Sequence, residues 1–177
     1  MIDVELTDPT HVTAGYTGQP GDRTFFVQAA DETTLVSLLA EKGQVAGIGD
    51  LLGQLLARLD DGPATDWDRD AMALREPVEP RWRIGAIQVG LDPDQGRFLL
   101  ELEEFVPGSE DDDEDAVGPE PREVRFWFDH DQARRLAAQC DDVVGQGRPR
   151  CELCGRPTEA DGSHVCPSTN GHGELHR

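Results

Sequence analysis

The chain has 177 residues, a length that suits one domain with a small appendage, and 16 basic against 36 acidic side chains give a formal charge of −20. That field repels phosphate backbones, and no basic patch offsets it, because Lys42 is the only lysine and the arginines are scattered, so nucleic-acid binding is not expected. With 37% apolar and 29% charged residues the composition is that of a globular protein rather than a disordered one, and no apolar run approaches the ~20 residues that span a bilayer.

The opening "MIDVELTDPT" lacks the basic residues and apolar core of a signal peptide, so a cytoplasmic, thiol-reducing compartment is expected. In "HVTAGYTGQPGDRTFFVQAADETTLVSLLAEK", turn-like clusters at 18–21 and 31–33 separate three β-rich runs, which predicts a meander. A helix follows in "GQVAGIGDLLGQLLARL", where Val45, Ile48, Leu51, Leu52, Leu55, Leu56 and Leu59 recur at spacings of three and four. Gly47, Gly49 and Gly53 each cost that helix about 1 kcal/mol against alanine, so a packed face has to outweigh them.

Residues 61–80 read as a connector, with Trp67 and Met72 expected to tuck against the body. A second set of strands is expected in "RWRIGAIQVGLD", "RFLLELEEFV" and "EVRFWFD", the first two joined by a turn at "PDQG". The helix "HDQARRLAAQCDDVV" comes next, with Asp129 and Gln132 spaced as a capping box. Cys140 falls on its apolar stripe and reads as a buried core thiol. Within the region 107–121, the acidic run Glu110 to Asp115 reads as a solvated loop between strands; its functional reading is a docking tail for a basic partner or a loose cation trap.

The two halves resemble each other. At one constant offset Gln44 matches Gln132, Ile48 matches Leu136, Leu55 matches Val143 and Leu56 matches Val144. The expected fold is therefore α+β, with two related βββα halves (1–60 and 81–147) sharing a sheet or packing as twins, plus a C-terminal zinc knuckle at 148–177.

The tail carries the densest chemistry, "CELCGRPTEADGSHVCP". Cys151 and Cys154 form a Cys-x2-Cys knuckle followed by Gly155, which permits the sharp turn that lets two thiolates share an ion. His164 and Cys166 complete four nitrogen and sulfur ligands, the number that closes a tetrahedral zinc site and leaves no open position for substrate. The metal is thus expected to be structural: the tail has few large apolar residues, and metal binding of order 10 kcal/mol would offset its ordering entropy. His172 or His176 could replace His164 as a ligand. Against a nucleic-acid finger, Glu152, Glu159 and Asp161 cancel Arg148, Arg150 and Arg156, and no helix lies between the ligand pairs.

No Walker loop, dinucleotide fingerprint, G-x-S-x-G elbow or H-E-x-x-H motif is present. Glu103 and Glu104 alternate across a strand and are not expected to converge. Several stretches, "AGYTGQPGDRTFFVQA", "LLAEKGQVAGIGDLL", "WRIGAIQVGLD", "QARRLA" and "GRPRCELCGRPTEADGSHVCPSTNG", together resemble the bacterial domain-of-unknown-function 3090 family over nearly the whole chain. The family pattern "C-x-x-C-G-x-P … G-H-x-C-P-x-x-N-G" falls on Cys151, Cys154, His164 and Cys166, with Ser163 where a glycine is usual, and "HGELHR" departs from the family's aromatic ending. The resemblance implies no activity and no catalytic residue. The expectation is a non-enzymatic interaction or regulatory module that binds a protein or small ligand. The alternative is a hydrolase or transferase with a pocket between the halves that uses Arg23, His130 and nearby carboxylates.

Overall fold

The computed structural model describes residues 1–59, 66–107 and 120–146. Its strands are β1 (Ile2–Leu6), β2 (His11–Gln19), β3 (Asp22–Ala30), β4 (Leu35–Ala40), β5 (Pro80–Asp92), β6 (Arg97–Glu104) and β7 (Glu123–Phe128). Two helices complete it, α1 (Lys42–Arg58) after β4 and α2 (His130–Gly145) after β7. No helix among the described residues is long and apolar enough to cross a membrane.

All seven strands form one sheet in the order β1-β7-β6-β5-β4-β3-β2. The runs β2-β3-β4 and β5-β6-β7 are antiparallel meanders, and they join through a parallel pairing of β4 with β5. β1 closes the other side as a parallel neighbour of β7. The sequence reading assigned no element to Ile2–Leu6. Its strand partner lies 120 residues away, beyond the reach of any local pattern.

A flat seven-stranded sheet would hold its edges about 29 Å apart at ~4.8 Å per strand. The link from Leu6 to His11 is five residues and reaches at most about 18 Å. The sheet therefore curls, and its two edges approach. α2 bridges from β7 to the β2 edge: Gln132 Nε2 donates to Pro9 O at 2.6 Å and Gln139 Nε2 donates to Ala14 O at 2.9 Å. These amides satisfy carbonyls that an open edge strand would leave unpaired.

Both helices lie on one face of the sheet over a single core. Val12, Val27, Leu38, Ile84, Leu100, Phe126 and Phe128 meet Val45, Ile48 and Leu52 of α1 and Ala133, Leu136 and Cys140 of α2 there. Burial pushes the Cys140 thiol up to about 12, so it stays protonated as a core hydrophobe. The helices cross closely at Gly49, where an added Cβ would lie 2.9 Å from Cβ of Cys140. That contact accounts for one of the three helix glycines; Gly47 and Gly53 face open space.

The helix starts follow the expected chemistry. At α2, Asp129 accepts from the Gln132 backbone N–H at 2.8 Å and Gln132 Oε1 accepts from the Asp129 N–H at 3.1 Å, a complete capping box. At α1, Gln44 Oε1 accepts from the Glu41 N–H at 2.8 Å, and its Nε2 reaches the Ile84 and Gly85 carbonyls of β5 at 3.0 and 3.2 Å.

Candidate functional site

The outer face of the sheet, away from the helices, differs between its halves. Over β2-β4 it carries His11, Thr13, Gln28 and Ser37, all buried although polar. Buried polar groups require partners, and the connector supplies them. Gln28 donates to Arg75 O at 2.9 Å and to Ser37 Oγ at 2.9 Å, and accepts from Arg75 N–H at 2.7 Å. Thr13 donates to Met72 O at 2.5 Å, and His11 Nε2 lies 3.1 Å from Ala73 O. Met72 is buried with them, as expected, whereas Trp67 is only half-buried and donates its indole N–H to Gln139 Oε1 at 3.1 Å. Burial first and the Arg75 charge second lower the pKa of His11, against the Ala73 carbonyl, so the ring is neutral.

Between the connector, β2 and the end of α2 lies a groove of about 390 Å³. Leu74 closes its floor, packing so near Gly15 that a Cβ there would fall 2.6 Å from Leu74 Cγ. A chain of polar side chains crosses the groove. Tyr16 donates to Gln146 Oε1 at 2.5 Å, Gln146 Nε2 donates to Asp142, and Arg69 pairs with both Asp142 oxygens, its Nε at 3.0 Å from Oδ2. The hydrogen bond from Arg69 to Asp142, reinforced by the carboxylate charge, raises the Arg69 pKa above its ordinary value. The described lining holds no Cys, His, Ser or Lys. Such a site can orient a ligand through Arg69, Asp70 and Glu76.

Over β5-β7 the outer face is not crossed by any described segment. Arg125 pairs with Glu101 at 2.8 Å and with Glu123 at 2.5 Å, Trp127 donates to Glu5 Oε1 at 2.9 Å, and Arg122 pairs with Glu104. Glu103 stands opposite Glu123 in register, so Glu101, Glu103 and Glu123 gather their carboxylates within 4.8 Å. The expectation for Glu103 and Glu104 holds, because Glu104 turns to Arg122. The convergence comes instead through the neighbouring strand, which spacing along one strand cannot report. Arg125 already balances much of that charge.

The expected zinc ligands Cys151, Cys154, His164 and Cys166 lie outside the described residues, as does the acidic run Glu110 to Asp115. Arg23 and His130 are not brought together. Arg23 opens β3 and lines a shallow pocket at the junction of β4 and β5, whereas His130 starts α2 beyond β7 with its ring edge-on to Phe98, centroids 5.2 Å apart. Strands β4, β5 and β6 separate them in the sheet. Sequence reasoning missed Tyr16, Arg69, Asp142 and Gln146, whose assembly depends on α2 reaching the β2 edge.

A family model described as "Protein of unknown function (DUF3090)" matches residues 4–166. No curated protein and no solved structure matches the chain.

Proposed function

The chain belongs to the DUF3090 family, and from that premise we propose that it is a non-enzymatic interaction or regulatory module, stiffened by a structural zinc on Cys151, Cys154, His164 and Cys166. The observation that carries the binding reading is the groove beside α2, across which Tyr16, Gln146, Asp142 and Arg69 form one hydrogen-bonded polar chain. The outer face of β5-β7, crossed by none of the described segments, offers a second surface for a protein partner. The zinc reading rests on ligand count, spacing and a reducing cytoplasmic setting.

The two halves are also proposed to descend from one βββα unit. The shift that takes Gln44 to Gln132 takes Leu35–Ala40 onto Glu123–Phe128, strand on strand. It also takes buried Val36, Leu38, Val45, Ile48 and Leu52 onto buried Val124, Phe126, Ala133, Leu136 and Cys140. Residues at matching positions thus share strand, cap and core roles.

Elemental analysis of the purified protein tests the metal: about one zinc per chain is expected, absent from Cys154→Ser. A metal-free wild-type chain that resists chelator without loss of stability overturns it. The non-enzymatic reading is tested by assaying ester, phosphoester and acyl-transfer substrates. Turnover that disappears in Asp142→Asn or Tyr16→Phe would assign chemistry to the groove instead.

A further inference from the structure

A second concavity, of about 210 Å³, opens at the junction of the two meanders, where β4 ends beside β5. Its lining concentrates cations in a chain of net charge −20: Arg23 from β3, Lys42 from the start of α1 and Arg83 from β5. Among the described lining residues one carboxylate opposes them, Glu41, which lies 3.3 Å from Arg83 Nη1. Thr24 is the remaining polar side chain, and Phe25, Leu39 and Ala40 form the apolar floor.

Arg23 is held rather than free to sweep solvent. Its guanidinium stacks on the Tyr16 ring, Cζ 4.0 Å from the centroid, which fixes the plane of its donors. Its Nε is buried, yet it meets no hydrogen-bond acceptor among the described residues. The repulsive field of the whole chain does not cancel this arrangement, because exposed charges are screened beyond about 10 Å at moderate ionic strength, and inside the pocket the near cations dominate.

We propose that this pocket is a binding site for a small oxyanion carrying at least two negative charges, a phosphoryl or carboxylate compound, held by Arg23, Lys42 and Arg83. The planar fork of arginine matches the paired oxygens of such groups, and Lys42 adds a point charge. The described lining shares no residue with the groove and includes none of the proposed zinc ligands, so the proposal does not depend on the zinc assignment.

Calorimetric titration of the full chain with pyrophosphate, and in parallel with citrate, tests it. Saturable 1:1 binding of at least one probe is expected, weakened about tenfold in Arg23→Gln and in Lys42→Gln. Lys42 is exposed, so that variant keeps the test interpretable should Arg23→Gln fold poorly. The control is Arg58→Gln, at the far end of α1, which should bind as wild type. Binding carried by a metal in the tail would be indifferent to Lys42. Three results overturn the proposal: no saturable binding of either probe, affinity unchanged in both pocket variants, or equal weakening by Arg58→Gln, which would reduce the effect to net charge.

Discussion

The two outer faces of the sheet solve the same problem in opposite ways. Over β2-β4 a connector lies across the strands, and the polar residues beneath it are buried, each bonded to connector backbone or to one another. Over β5-β7 no described segment does so, and the strands carry cross-strand ion pairs that are half-buried. Buried hydrogen bonds without water as an alternative are expensive to break, whereas partly exposed ion pairs lose less when a partner is removed. The first face should therefore be where stability resides and the second where the surface can be changed at small cost.

The comparison breaks most directly at Gln28. Gln28→Ala removes three hydrogen bonds and strips both backbone groups of Arg75, and is expected to lower the urea unfolding free energy by about 3 kcal/mol. A loss as small as that of a surface substitution would mean the connector does not depend on it. Next come the helix starts: Gln44→Ala and Gln132→Ala should each cost about 1 kcal/mol, and by similar amounts if the halves are equivalent beneath their different coverings. Thermal or chemical denaturation of the two variants side by side reads this.

A smaller effect is expected from pH. The folded state holds His11 neutral, with its pKa below the ordinary 6.5. Above that value neither state binds the proton and stability is unaffected. As pH falls through 6.5 the unfolded chain takes up a proton that the folded chain refuses, so stability declines until the folded pKa is also passed. His11→Gln should flatten that part of the stability profile, and an unchanged slope would place its origin elsewhere. The smallest effect belongs to the open face: Arg81→Gln, which loses only the 3.3 Å pair with Asp3, should shift the melting temperature slightly, and the shift should shrink in high salt. A large, salt-insensitive loss would show that this face is buried in the functional protein.

Much of the framework could be read in the sequence because it is local. The turn at "PDQG" separated β5 from β6, the three-and-four spacing marked α1, and the Asp129–Gln132 spacing specified its own hydrogen bonds. What could not be read depends on distant partners. The polar residues Thr13 and Gln28 look like solvent-facing strand positions until a connector some 50 residues on lies over them. The groove was hidden for the same reason, since Tyr16 and Gln146 meet only because the sheet curls and α2 reaches the β2 edge. Arg23 was singled out, but with His130 as its companion; the register of β4 with β5 gives it Arg83 instead, and the turn into α1 gives it Lys42.

The pairing of Ile2–Leu6 with Glu123–Phe128 also sets an order of events during synthesis. β1 leaves the ribosome long before its partner, because β7 is translated some 120 residues later. At about 5–20 residues per second, that interval is on the order of ten seconds. Through it the β2-β3-β4 meander and α1 can already form, but the β1 edge and the closure by α2 cannot. The nascent chain thus carries β1 unpaired until the second meander is complete.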